Sequence, residues 1–170
     1  MKTTTGFLTK ILLAAVLLAM PCNCLAVKTG QQAPDFTLNT LQGEHVRLNT
    51  LRGKVVVAHF WSTTCAPCVA ELPALNSAYE SLKAEGLVVL GISIDPSAAP
   101  VRELANRLGL RFPILLDSDR GIYFDSYSLF GLPATVIVDR NGVVREKIPG
   151  AIDWKSPLTN TKLKTYLKGR

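Results

Sequence analysis

The sequence predicts an α/β fold in which a central mixed β-sheet is flanked by helices. Residues 55–61 and 87–94 are nearly continuous runs of β-branched and apolar residues, typical of strands buried on both faces. Helical periodicity occupies the segment between them, and an Asn-Gly pair at 141–142 separates two apolar runs, as in a hairpin turn. Strands that alternate with helices and end in a hairpin and a helix form a sheet of mixed strand direction.

The first expected element is an N-terminal hairpin, because short alternating runs at 35–38 and 46–48 flank Gln42-Gly43. A helix is expected over 66–85. The later elements are expected, in order, at 99–108 (helix), 113–116 (strand), within 122–130 (short helix), at 134–138 and 143–147 (strands) and at 155–168 (helix).

The helix over 66–85 is predicted from apolar residues that recur at helical spacing. Pro67 is tolerated in its first turn, and Gly86 marks its end. Pro73 lies inside the helix and is expected to kink it, since proline removes a hydrogen bond and clashes with the preceding turn.

The first 26 residues differ from this globular pattern. Lys2 and Lys10 border a short apolar run at 11–20, and no acidic residue occurs among them. This order predicts a secretory signal peptide, because the run is shorter than the roughly 20 residues of a membrane span. Cleavage is expected after Ala26, since Cys24 and Ala26 are small residues at the two positions that a signal peptidase inspects.

The expected organisation is therefore a signal peptide at 1–26 and one domain at 27–170, exported to the periplasm. Two alternatives stay open: the N-terminal segment is an uncleaved membrane anchor, or Cys22 carries a lipid. The formal charge of +6 falls to +4 when Lys2 and Lys10 are removed. Because no basic stripe is interleaved with aromatic residues, nucleic acid is not expected as a partner.

Only two cysteines, Cys65 and Cys68, remain after the predicted cleavage. A bridge between them closes a very small loop, so it constrains the unfolded chain little and stabilises the fold little. The pair follows a strand and opens a helix, where unpaired N–H groups and the helix dipole favour a thiolate. The pKa of Cys65 is expected to lie below the usual value of about 8.5, and Cys68 is placed to resolve a mixed disulfide.

Two other interpretations of the cysteine pair compete with the redox one. Half of a zinc site needs further ligands, and the domain offers only His45 and His59 at unsuitable spacing. An inert structural disulfide is disfavoured by the small size of the loop. The redox interpretation is favoured, without a metal.

Four motifs occur in a consistent order: APDF at 33–36, FWSTTCAPCVAELP at 60–73, GLPAT at 131–135 and DRNG at 139–142. With them, the chain resembles the TlpA/ResA/DsbE-like thioredoxin family of exported or membrane-tethered disulfide reductases. The resemblance covers about 33–154. It implies a thioredoxin-like fold with an N-terminal hairpin, a central βα insertion near 97–116 and no cofactor.

The resemblance also implies which residues meet the substrate. Pro133 matches the family's cis-proline, which lies against the redox pair, and the backbone of Leu132 would pair with an extended substrate segment. Ala66 and Pro67 lie between the cysteines, where a substrate would contact them. Trp61 matches a family aromatic residue that shields the site.

Two residues are candidates for moving protons. Glu71 follows Cys68 by three residues, so the two share a helix surface, and the family carries a glutamate at this spacing. Burial would raise its pKa and suit it to exchange protons with Cys68. His59 stands where plain thioredoxins have an aspartate; it is either a proton acceptor that titrates near neutral pH or a core histidine. Like His59, Thr64 departs from the family pattern, since many relatives carry tryptophan at that position.

The leading function is reduction of disulfides in exported proteins, and the resemblance implies a membrane electron donor of the DsbD or CcdA type. Apocytochrome c before haem attachment is a family substrate. A peroxiredoxin-type peroxidase is one alternative; Ser62 fits that motif, but Ala58 replaces its proline. A copper-binding or metallochaperone module is the other, although related copper proteins space their cysteines by three residues.

Overall fold

The computed structural model describes residues 27–169, so the predicted signal peptide and Cys22 lie outside the described residues. Seven strands form one sheet in the order β2-β1-β5-β4-β3-β6-β7. The strands are β1 (Thr37–Thr40), β2 (His45–Arg47), β3 (Val55–Trp61), β4 (Leu87–Ser93), β5 (Ile114–Leu116), β6 (Ala134–Val138) and β7 (Val144–Pro149).

The centre of the sheet is parallel and its two edges are antiparallel. β3, β4 and β5 run parallel, β6 lies antiparallel to β3, and hairpins add β7 at one edge and β2 beyond β1 at the other. Every residue of β3 is buried. The burial agrees with the strand covered on both faces that the long apolar run predicted.

Three α-helices contribute to the core on one face of the sheet: α1 (Ala66–Leu82), α2 (Ala98–Leu108) and α3 (Pro157–Leu167). Alternate residues of β3, including Val57 and Trp61, belong to that core. His59 has the same parity, so its side chain projects toward α1.

The opposite face is covered by residues 27–36 and by residues 122–129 instead of a long helix. Its core contains Val56, Ala58 and Phe60 of β3. The predicted short helix within 122–130 is a π-helical turn, Ile122–Ser126. The Asp117 carboxylate accepts hydrogen bonds from the N–H groups of Ile122 and Tyr123, which anchors the start of this turn.

The predicted elements are present, with shifted ends. α1 runs on through Pro73 and ends at Leu82, and a 3₁₀ turn (Lys83–Glu85) leads to Gly86, which adopts a left-handed conformation. α3 begins two residues later than predicted because Ser156 caps it, accepting a hydrogen bond from the N–H of Leu158. Within residues 27–169 no helix combines the length and apolar character needed to span a bilayer.

Candidate active site

The two cysteines form a disulfide at the start of α1. Cys65 is the N-cap residue, and its Sγ accepts a hydrogen bond from the backbone N–H of Cys68 at an N···S distance of 3.3 Å. The sulfur therefore lies at the positive end of the helix dipole, beside N–H groups that have no partner inside the helix. This position stabilises negative charge on Cys65 when the bridge is open.

The two sulfurs differ in their access to solvent. Cys65 is half-buried and the intervening Ala66 and Pro67 are exposed, whereas Cys68 is 0% exposed. An external thiol or disulfide can therefore approach only Cys65. This asymmetry assigns Cys65 as the attacking sulfur and Cys68 as the resolving one.

The loop before β6 lies at the same end of the sheet as the cysteines. β3 leads to Cys65, and Ala134 at the start of the antiparallel β6 is the register partner of Phe60. The Leu132–Pro133 peptide bond in this loop is cis. Within residues 27–169, neither the N–H nor the C=O of half-buried Leu132 forms a hydrogen bond, so both can pair with a ligand.

Asp95 holds the segment that leads into Cys65. Its carboxylate accepts hydrogen bonds from the N–H of Thr63 (2.9 Å), the hydroxyl of Thr63 (2.7 Å) and the hydroxyl of Ser93 (2.7 Å). Asp95 is buried just past the end of β4, the neighbour of β3. The redox loop is therefore fixed to the sheet by charge-assisted hydrogen bonds.

Glu71 is buried one turn below Cys68 on the same helix. Its Oε2 accepts hydrogen bonds from the backbone N–H of Ile152 (2.7 Å) and from Nε1 of Trp154 (2.9 Å). Burial raises the pKa of Glu71, and these two hydrogen bonds counteract part of that rise. The result is a carboxyl group that can hold or release a proton beneath the redox pair.

His59 is completely buried on β3. Its Nδ1 lies 3.0 Å from Oγ1 of Thr135, and its Nε2 lies 3.6 Å from Oε1 of Glu71. Burial lowers the pKa of His59 to about 4. Of the two roles expected for His59, burial favours the core histidine over a group that titrates near neutral pH, because the buried imidazolium would lose its hydration.

Trp61, which was expected to shield the site and to contact a substrate, is enclosed in the core. Its side chain is 0% exposed and belongs to the core beneath α1. The alternation of β3 places Trp61 on that covered face, so it supports the site from below.

A zinc or copper site receives no support from the arrangement of the remaining ligands. His45 lies exposed on β2, an edge strand that β1, β5 and β4 separate from β3. Among residues 27–169, no three His, Cys, Asp or Glu side chains come together as a metal-binding group.

Sequence reasoning missed three contributors to the site: Asp95, Ile152 and Trp154. The first follows a strand and the others lie between β7 and α3, without a periodic pattern that would connect them to the cysteines. Trp154 marks only the end of the segment that resembles the family. The one sequence signal that could have indicated Asp95 is its place directly after the predicted buried strand at 87–94, because the carboxyl ends of neighbouring parallel strands lie at the same edge of a sheet.

Comparison with known proteins agrees with this geometry. A family model described as AhpC/TSA matches residues 29–147. The thiol–disulfide oxidoreductase ResA of Geobacillus kaustophilus is 36% identical over 146 residues, covering 84% of this chain and 83% of that protein. The chain belongs to the TlpA/ResA/DsbE-like branch of the AhpC/TSA family.

Further relatives of this ResA-like chain support the assignment. ResA of Geobacillus thermodenitrificans is 36% identical over 140 residues, covering 81% of this chain and 80% of that protein. The thioredoxin domain of a thiol–disulfide oxidoreductase from Bacteroides vulgatus superposes with a TM-score of 0.72 at 28% identity, covering 83% of this chain and 99% of that domain. The predicted thioredoxin-like fold is confirmed, and the ResA-like chain is a thiol–disulfide oxidoreductase.

Proposed function

We propose that this ResA-like enzyme reduces disulfide bonds in exported proteins, on the outer side of the cytoplasmic membrane. One observation carries the proposal: an accessible sulfur at a helix N-terminus is bonded to an enclosed sulfur on the next turn. Such a pair exchanges disulfides with a partner through one sulfur and closes on itself through the other.

The proposed reaction begins with the reduced enzyme. The Cys65 thiolate attacks one sulfur of a substrate disulfide, forms a mixed disulfide and expels the other substrate sulfur as a thiolate. Cys68 then attacks the Cys65 sulfur, forms the internal bridge and releases the second substrate thiolate. The substrate gains two electrons and two protons, and the enzyme is left with the disulfide seen in the structure.

Glu71 is proposed to accept the proton of Cys68 before the second attack. The two residues are buried on the same helix surface, three positions apart. Water therefore has little access to the Cys68 thiol and does not readily accept its proton. A carboxyl group whose pKa is raised by burial is closer in proton affinity to a thiol than an exposed glutamate is.

The substrate is proposed to lie across the exposed Ala66-Pro67 turn and along the loop before β6. The free N–H and C=O of Leu132 would pair with an extended substrate backbone, beside Pro133. This arrangement favours an unfolded or loosely structured protein segment over a small molecule.

Export to the periplasm, a donor of the DsbD or CcdA type and a role in cytochrome c maturation are parts of the same proposal. The basic and apolar order of residues 1–26 supports export. The donor and the substrate rest on the family resemblance. Electrons are carried by the two sulfurs, so the proposal includes no cofactor.

The direction of reaction is inferred from the residues between the cysteines. Ala66-Pro67 offers no charge and no histidine to stabilise a thiolate strongly. We expect a potential nearer thioredoxin, about −270 mV, than DsbA, about −120 mV. Redox titration against glutathione measures it, and a value near −120 mV would reassign the protein as an oxidant.

Trapping is the decisive test. Cys68→Ala removes the resolving sulfur, so the variant is expected to accumulate mixed disulfides through Cys65 with exported proteins. The matched control, Cys65→Ala with Cys68→Ala, is expected to trap nothing. Consumption of hydrogen peroxide at a rate above that of disulfide reduction would instead favour a peroxidase, and stoichiometric copper in the purified protein would favour a metallochaperone.

A further inference from the structure

A buried histidine and a buried carboxyl group face each other beneath the redox pair. Nε2 of His59 lies 3.6 Å from Oε1 of Glu71. Neither atom has a hydrogen-bond partner within residues 27–169, although both are shielded from solvent. Buried polar atoms are paired in the great majority of cases. An N–H···O hydrogen bond between Nε2 and Oε1 would need a separation only a few tenths of an ångström shorter than the 3.6 Å seen here.

We infer that His59 is a positioning residue that donates Nε2–H to Oε1 of Glu71 and thereby keeps this carboxylate ready to accept the Cys68 proton. The inference deepens the proposed function, since it rests on Glu71 exchanging protons with Cys68. His59 touches neither cysteine in this scheme and acts through Glu71.

Thr135 selects the required tautomer of His59. A neutral imidazole has one donor and one acceptor nitrogen, whereas a hydroxyl group can serve as either. The hydroxyl of Thr135 lies 3.0 Å from Nδ1, and Thr135 is the register partner of His59 across β3 and β6. When that hydroxyl donates to Nδ1, the ring proton resides on Nε2 and points at Glu71.

The surroundings leave Glu71 as the one charged partner available to His59 in the described part of the chain. From β4, its register partner is Gly91, and from β6 it is Thr135. The Trp154 ring meets the imidazole edge to face, with centroids 6.2 Å apart. From α1, the titratable group that faces the imidazole is Glu71, and burial keeps the imidazole itself neutral at physiological pH.

The direction of the effect follows from the strength of the bonds. A hydrogen bond to an ionised carboxylate is roughly twice as strong as one between neutral groups, so His59 stabilises ionised Glu71 more than its protonated form. Losing the Nε2 donor should therefore raise the pKa of Glu71. The Oε2 bonds from Ile152 and Trp154 would remain in place.

A matched pair of substitutions isolates Nε2 from Nδ1. Gln places an amide nitrogen near the position of Nε2, whereas Asn reaches only as far as Nδ1. We expect His59→Asn to raise the pKa of Glu71 by about one unit, a tenfold change in its ionisation constant. His59→Gln should leave it near the wild-type value. Carbon-13 NMR titration of the Glu71 carboxyl carbon in the oxidised protein measures both without a substrate.

Equal Glu71 pKa values in the two folded variants would overturn the inference. If either variant fails to fold, Thr135→Val provides the second test, because it removes the hydroxyl that selects the tautomer while keeping the side-chain shape. A Glu71 pKa unchanged in Thr135→Val would likewise overturn the assigned role of His59.

The pH profile of disulfide reduction separates this inference from the proposed function. Both the inference and the proposed function are supported if His59→Asn shifts the profile along with the Glu71 pKa, and if the same substitution leaves the profile unchanged in a protein that already carries Glu71→Gln. A Glu71 pKa that moves while the reduction profile stays fixed would uphold the positioning by His59 and refute the proton-accepting role of Glu71.

Discussion

Two buried carboxylates flank the redox pair, and they are used in different ways. Asp95 is 5% exposed and Glu71 is 7% exposed, so burial does not distinguish them. Both oxygens of Asp95 accept hydrogen bonds, from three donors on Thr63 and Ser93. Among residues 27–169, Glu71 receives both of its hydrogen bonds on Oε2, and its Oε1 faces His59.

The difference shows that the occupancy of the oxygens, more than burial, indicates the role of a buried acid. A carboxylate whose oxygens are all engaged by fixed donors ties those donors together. A carboxylate in an apolar site, with one oxygen that faces a single donor at 3.6 Å, exchanges protons more easily, because fewer bonds oppose protonation at that oxygen. Asp95 is therefore assigned to structure and Glu71 to chemistry.

Replacing Asp95 with alanine is expected to produce the largest loss of stability. The change leaves the N–H and hydroxyl of Thr63 and the hydroxyl of Ser93 without their acceptor, which should cost about 3 kcal/mol. Urea unfolding of the oxidised protein measures the loss. Glu103→Ala, which removes an exposed carboxylate near Arg107, is the control and should cost less than about 0.5 kcal/mol. A similar loss in both variants would contradict the structural role of Asp95.

Replacing Glu71 with alanine is expected to cost less, about 2 kcal/mol, although it also leaves two donors unpaired. The loss is smaller because removing Glu71 also removes the cost of an acid whose ionised form is disfavoured by burial. Glu71→Gln keeps an oxygen for Ile152 and Trp154 and should cost less than about 1 kcal/mol. The same urea measurement applies, and a Gln variant as unstable as the Ala variant would show that the carboxylate itself is required, since glutamine keeps both the shape and an acceptor oxygen.

The elements that carry the cysteines could be predicted because their signals are local. The apolar run of β3, the helical spacing in α1 and the Cys-Ala-Pro-Cys motif lie within 28 consecutive residues, from Val55 to Leu82. Glu71 was predicted from its spacing to Cys68 together with the family resemblance. Local periodicity reports which elements form, and here it also indicated a carboxyl group on the same helix surface as the resolving sulfur.

The partners of the two carboxylates could not be predicted because they are distant in sequence. Asp95 bonds to Thr63 across 32 residues, and Trp154 bonds to Glu71 across 83. Neither contact belongs to a periodic pattern. The burial of Trp61 could have been derived from the prediction of a strand covered on both faces, but its position beside the motif favoured a role at the substrate surface. His59 follows the same alternation, and its low pKa results from that burial.

The smallest expected effect is a difference in pH dependence between the wild-type protein and Glu71→Gln. Burial raises the folded-state pKa of Glu71 above its ordinary value of 4.5. Below pH 4.5 the side chain is protonated in both states, and its contribution to stability is fully present. As the pH rises through the folded-state pKa, the unfolded state has already released the proton and the folded state must ionise a buried group, so the contribution is lost.

The unfolding free energy of the wild type minus that of Glu71→Gln should therefore decrease as the pH rises from 4 to 8, because glutamine has no proton to release. Urea unfolding at several pH values, with the disulfide kept intact, measures this difference. A difference that grows with pH would mean that the ionised form of Glu71 is the one stabilised by folding, which would make it a second structural acid like Asp95.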